Sequence, residues 1–97
     1  MRLIWTDDAM SDLLSLRQYI AQDHPATAQS VAQRILATIA YLRDHPEIGR
    51  PGRTPGTREL VVAGIPYIIP YRVRRDTIEL LRVFHTSRKW PEESNNL

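Results

Sequence analysis

Apolar and polar positions alternate along this chain in two distinct rhythms, separated by one irregular stretch. Residues 2–5 (Arg-Leu-Ile-Trp) are a short apolar run and predict a strand. Thr6-Asp7-Asp8 then supplies a helix N-cap and acids for the first turn, where the helix dipole favours negative charge. Apolar residues follow at Ala9, Leu13, Leu16 and Ile20, with Met10, Leu14 and Ala21 beside them. This spacing predicts a helix with one buried face, ending near Asp23. His24-Pro25 breaks it, and Pro suits the first position of a second helix. Ala28, Ala32, Ile35, Ile39 and Leu42 step by four, three, four and three, which predicts that helix over about 25–44. So short a connection makes the two helices antiparallel neighbours.

The rhythm then fails. Residues 46–56 hold three Pro and three Gly in eleven positions and predict a loop. Beyond it the period is that of extended chain: strands over Thr57–Val62, Tyr67–Arg74 and Thr77–His85, with turns at 63–66 and at Arg75-Asp76. Connections this short make an antiparallel meander. Pro70 lies in the middle strand, which pairs on both sides, and proline has no N–H to give. A bulge or local irregularity is therefore expected at Ile69-Pro70. The order strand, helix, helix and three strands predicts one two-layer α+β domain over residues 1–97, a helical hairpin (about 7–44) packed on a mostly antiparallel sheet (meander about 57–86), with a tail at 87–97. The last strand carries apolar groups on both faces, so the face away from the helices needs a cover. Either a partner or the tail, with Trp90, would supply it.

Charge adds asymmetry to this picture. The formal net charge is +2 over 97 residues, but residues 1–49 carry −2, residues 50–90 carry +6 and residues 91–97 carry −2. Twelve of the thirteen basic residues are Arg, whose planar fork suits phosphate and carboxylate. The basic half is expected to face an acidic partner or a nucleic acid. Without cysteine there is no disulfide and no thiolate metal site. The histidines at 24, 45 and 85 are too scattered for a metal cluster, and no cofactor is expected. No apolar run approaches the ~20 residues that span a bilayer. The N-terminal stretch reaches acids after three apolar residues, unlike a secretory signal, so a cytoplasmic location is expected.

An ordered set of segments points further. Pro46-Glu47-Ile48-Gly49-Arg50-Pro51-Gly52-Arg53, then Gly56-Thr57-Arg58-Glu59-Leu60, then Pro66-Tyr67-Ile68-Ile69-Pro70-Tyr71-Arg72-Val73, then Leu81-Arg82-Val83-Phe84-His85 with Arg88 and Trp90-Pro91, closely resembles the RelE/ParE superfamily of type II toxin–antitoxin toxins. Trp5, Asp12-Leu13 and Tyr19-Ile20 fit the same pattern. The resemblance covers residues 2–91. It implies the β-α-α-β-β-β architecture and a cognate ParD- or RelB-like antitoxin, through which the complex would bind operator DNA. It implies one of two activities. RelE-like members are ribosome-dependent mRNA endoribonucleases, whereas ParE-like members poison DNA gyrase.

Cleaving RNA through its 2′-hydroxyl needs a base, an acid and cations around the phosphorus. Glu59 or His85 could carry protons, and Arg58, Arg82 and Arg88 could clamp phosphate. Arg58 and Glu59 are neighbours on one strand, so they point to opposite faces. Nuclease relatives resembling RelE commonly carry an Arg three residues before the Tyr71 position, and here that position is Ile68. The sequence therefore resembles the ParE-like, gyrase-inhibiting branch, with the RelE-like nuclease as the alternative. Arg50, Arg53, Arg58, Arg72, Arg82, His85, Arg88 and Trp90 are the candidate contacts to target or antitoxin. The plainer alternatives are surface ion pairs of Arg58 and Arg82 with Glu59 or Glu79, a structural His85, and Trp90 as a lid on the sheet.

Overall fold

A computed structural model of the chain describes residues 1–87. The elements run β1 (Arg2–Trp5), α1 (Asp7–Ala21), α2 (Pro25–Asp44), β2 (Arg50–Pro51), β3 (Arg58–Val61), β4 (Tyr67–Arg74), β5 (Thr77–Leu80) and β6 (Phe84–His85). The two helices pack on a single sheet ordered β1-β5-β4-β3-β2, with β6 also paired to β4. β1 lies parallel to β5, and the remaining pairings are antiparallel. This is the α+β, two-layer arrangement that the order of the periodicities implies.

Local chemistry explains the helix boundaries. The Thr6 hydroxyl accepts from the Ala9 N–H at 3.1 Å, satisfying one of the four donors a helix start leaves open. The same oxygen donates to the Leu80 carbonyl at 2.8 Å. One side chain therefore caps α1 and ties it to the end of β5. Pro25 opens α2, where a missing N–H costs nothing. α1 stops at Ala21, two residues short of the expected end, and Gln22 and Asp23 close the last turn through Gln18 and Ile20 carbonyls.

The core lies between the layers. Ala9, Leu13, Ile35, Ile39 and Leu42 from the helices meet Leu60, Ile69, Tyr71, Ile78 and Leu80 from the sheet. Leu3 and Trp5 pack against this cluster half-buried. The opposite face of the sheet is also partly buried, at Ile68, Pro70, Phe84 and Glu59, whereas Val61 and Ile4 on it are exposed. The expected cover by Trp90 falls on residues outside those described.

Three expectations need correction. The strand foreseen over Thr77–His85 is interrupted, since Leu81–Val83 leave the ladder between β5 and β6. The bulge or local irregularity foreseen at Ile69-Pro70 does not fall on β4 itself, which runs unbroken through both residues. The irregularity sits across from it instead. The Pro70 carbonyl accepts from Leu81 N–H at 2.9 Å, so the Pro70 nitrogen faces the same edge, onto the Leu81–Val83 break. The partner strand gives way where proline has no N–H to offer. Finally, the Pro/Gly loop contains β2. It is two residues long and lies at the sheet's edge, a place that tolerates Pro51.

Removing the Thr6 hydroxyl should expose the importance of the shared cap. Thr6→Val is expected to lower unfolding free energy by about 1–2 kcal/mol, with Thr6→Ser close to the parent. Urea denaturation followed by circular dichroism measures both.

Candidate functional surface

Residues 46–56 owe their shape to three side chains of the sheet. On the helix-facing side, Arg58 and Tyr71 are cross-strand partners. The buried Tyr71 hydroxyl donates to the Pro46 carbonyl at 2.8 Å and accepts from the Gly49 N–H at 2.9 Å. Arg58 Nη1 donates to the Glu47 carbonyl at 3.2 Å and to the Gly49 carbonyl at 2.8 Å. Both polar groups of Gly49 are thus taken by sheet side chains. A Cβ there would lie 2.6 Å from the Tyr71 ring, so no other residue fits without displacing it.

On the opposite side, Glu59 holds the far half of the loop. Its carboxylate accepts from Arg53 N–H at 3.0 Å and from Arg50 Nη2 at 3.3 Å. The Glu59 side chain is 1% exposed and that of Arg50 is 55% exposed. This pair therefore joins a buried carboxylate to a solvated guanidinium, and the backbone N–H is the fixed partner. Burying a carboxylate is costly unless it is bonded in this way. Thr57 completes the turn, its hydroxyl donating to the Thr54 carbonyl. The outcome is an ordered loop that carries Arg50 and Arg53 at the molecular surface.

Arg82 lies in the break between β5 and β6. Its Nε and Nη2 donate to the two carboxylate oxygens of Asp12 on α1, at 2.8 and 3.1 Å, and Val83 N–H donates to the same carboxylate at 2.9 Å. Its guanidinium also sits 4.4 Å from the Phe84 ring centroid. The ion-pair partner is thus Asp12 rather than Glu59 or Glu79. Glu79 instead pairs with Arg72 at 2.8 Å across β4 and β5. His85 accepts from Ser87 N–H at 3.1 Å through Nδ1 and stands edge-on to Tyr67. Arg88 and Trp90 lie outside the described residues.

The sequence-selected residues therefore form separate groups. Arg50, Arg53 and Glu59 belong to the loop anchor. Arg58 works from the other face, as strand alternation requires. Arg82 is bound to α1, and His85 flanks Tyr67 on β6. Ile68 is buried opposite Phe84. Among the described residues no group of three or more His, Asp or Glu could hold a metal. No helix among them is long and apolar enough to cross a membrane. Two residues with large structural roles were not singled out for them by sequence reasoning. Asp12 stands within the apolar face of α1, next to Leu13, and a carboxylate in that position signals a partner. Tyr71 carries no such signal, because a strand tyrosine reads as apolar filling.

Burial raises the Tyr71 pKa above its ordinary value, outweighing the Gly49 hydrogen bond and the nearby Arg58, which lower it. Folding thus favours the neutral phenol. This contribution is whole below the unfolded pKa of about 10 and is lost as pH rises from there through the folded value. Tyr71→Phe leaves Gly49 N–H and the Pro46 carbonyl without their partner. It should cost about 1–3 kcal/mol at neutral pH and flatten the loss of stability above about pH 10. Thermal melts across pH 7–11 check both parts. Asp12→Ala, which strands Arg82 and Val83 N–H together, should cost about 2–3 kcal/mol in the same assay.

Comparison with known proteins agrees with this architecture. A family profile described as the ParE toxin of the type II toxin-antitoxin system, parDE, matches residues 3–90. The toxin-named protein Y4kP of Sinorhizobium fredii is 46% identical over 91 residues, covering 94% of each chain. Toxin RelE2 of Caulobacter vibrioides is 38% identical over 87 residues, covering 90% of this chain and 97% of its own. A solved chain of the chromosomal ParDE system from P. aeruginosa superposes with a TM-score of 0.80 at 30% identity, covering 88% of this chain and 95% of that one. The chain belongs to the ParE toxin family of type II toxin–antitoxin systems, within the RelE/ParE superfamily, and such a toxin has a cognate antitoxin as its partner.

Proposed function

We propose that this toxin acts by binding and inhibiting DNA gyrase in the cytoplasm, and that a ParD-like antitoxin neutralises it. The observation that carries this reading is the dispersal of the groups an RNA-cleaving site would need. General acid–base catalysis requires proton carriers within hydrogen-bond reach of the reacting hydroxyl and leaving oxygen, with cations beside the phosphorus. Here Glu59 is buried and occupied by Arg53 N–H and Arg50. Arg58 faces the other side of the sheet and clamps carbonyls of the loop. Arg82 is committed to Asp12. Ile68, where nuclease relatives carry Arg, is buried. A protein that works by attachment needs no such convergence. It needs a rigid surface, and the pinned loop with Arg50 and Arg53 provides one.

The antitoxin's seat follows from what the fold leaves open. Tyr41, Ile48 and Val61 are exposed around a groove between α2 and β3, which Arg34 also lines. β2 pairs only with Arg58 and Glu59, so the edge of β3 at Val61 has no neighbour among the described residues. An extended antitoxin segment could add there as a strand with apolar side chains in the groove. Such segments commonly fold on binding. Operator DNA would be bound through the antitoxin.

Two assays test the reading. Toxin freed of antitoxin is expected to inhibit supercoiling by purified gyrase at micromolar concentration while leaving mRNA intact in a translating extract. Normal supercoiling together with cleaved mRNA would transfer the function to the RelE-like alternative.

A further inference from the structure

Among the described residues, a second group of exposed arginines lies away from the loop 46–56. Arg2 on β1 and Arg74 on β4 are both register partners of Thr77 on β5. The three residues thus form one row across three strands, with the Arg Cα atoms about 10 Å apart by strand spacing. Leu3 and Ile78 turn toward the helices. Alternation therefore places Arg2, Thr77 and Arg74 on the opposite face. Arg72 and Glu79 form the next row on that face and are already paired. Arg75 follows at the turn. Arg2, Arg74 and Arg75 are all exposed, and none of the ion pairs among the described residues uses them. Asp76 is the carboxylate of the turn itself.

The tip carries a second mark. Arg75 has a φ of 54° and is the non-glycine residue with positive φ in the chain's described part. That left-handed conformation favours Gly or Asn, and a long cationic side chain gains nothing locally from it. Positions where a local rule is broken without local benefit are candidates for function.

We propose that the β4–β5 tip, with Arg2 beside it, is a phosphate-contacting surface for duplex DNA. Arginine forks, a threonine hydroxyl and backbone at a strand end are the groups that bind phosphate and sugar without reading bases. The row of Arg2, Thr77 and Arg74 includes no aromatic side chain on which an unstacked base could rest, which disfavours single strands. DNA rather than RNA follows from gyrase as the target, and in that respect the inference rests on that reading. An inhibitor that touched both enzyme and DNA would hold the DNA while the enzyme acts on it.

Fluorescence anisotropy with a labelled 30-base-pair DNA duplex, toxin alone and no gyrase, is the test. Binding should weaken with salt at a log–log slope of about −3, one phosphate per arginine. The triple variant Arg2→Gln, Arg74→Gln, Arg75→Gln should bind at least 10-fold more weakly, whereas Arg17→Gln with Arg43→Gln, exposed charges on the helices, should not. Arg75→Gly alone should weaken binding several-fold without lowering the melting temperature, which separates contact from folding. Triple-variant binding equal to the parent's, or a loss matched by the helix double variant, overturns the proposal. So does equal or tighter binding to duplex RNA or to a poly-glutamate peptide. Gyrase inhibition is measured separately on the parent protein, so either reading can fail while the other stands.

Discussion

Pro70 offers no N–H to its outer neighbour, yet it sits in β4, the strand that every other part of the sheet pairs with directly or through one partner. The chain opposite responds by leaving the ladder over Leu81–Val83. Much of the fold's cross-linking occurs at this break. The Leu80 and Leu81 carbonyls, at the end of the regular ladder, accept from the Thr6 hydroxyl that caps α1. The Val83 N–H, with no strand partner, donates to Asp12 of α1. Arg82, in the same segment, forks onto that carboxylate. A defect in the sheet thus becomes the attachment point of the first helix. Buried backbone groups must find partners somewhere, and here side chains of α1 and its cap supply them.

The same logic applies at the other side of β4. Tyr71, one residue on from Pro70, satisfies two backbone groups of the loop with one hydroxyl. Arg58 and Glu59, on adjacent positions of β3, satisfy three more from opposite faces of the sheet. Eleven residues rich in Pro and Gly cannot build their own ladder, so the sheet's polar side chains stand in for one. The cost is chemical freedom. An arginine holding two carbonyls and a glutamate holding a loop N–H are poorly placed to leave those bonds for a substrate. Order in the loop and reactivity in its anchors are opposed requirements, and the structure satisfies the first.

Much of the architecture was legible in the sequence because periodicity reports which face a residue buries. The helix from Pro25 to Asp44 follows from apolar steps of three and four, and β4 from its bounding turns. What was not legible was pairing between distant side chains. Arg82 reads as a phosphate clamp or a partner of Glu79, because nothing in a linear chain announces that Asp12, seventy residues earlier, lies beside it. Pro70 signalled a disturbance correctly but not on which strand it would fall, because a proline fixes its own φ and leaves the neighbouring chain to adjust. Nor does alternation alone tell a free arginine from a committed one. Arg58 and Arg74 look alike in sequence, but one is bonded to loop carbonyls and the other stands in solvent.

That distinction changes what the basic half of the chain means. Its excess charge suggested a single cationic face toward a partner. In the folded chain Arg50, Arg58, Arg72 and Arg82 each have an intramolecular acceptor. Arg50, Arg72 and Arg82 are paired with carboxylates, which cancel much of their field at a distance, whereas Arg58 is bonded to neutral carbonyls and keeps its charge. Among the described residues, three exposed arginines without a carboxylate partner, Arg2, Arg74 and Arg75, lie together at the β4–β5 tip, at the end of β4 beyond Tyr71. Net charge counted along the chain indicates that a basic surface is present. Its position is set by which arginines the fold has already used.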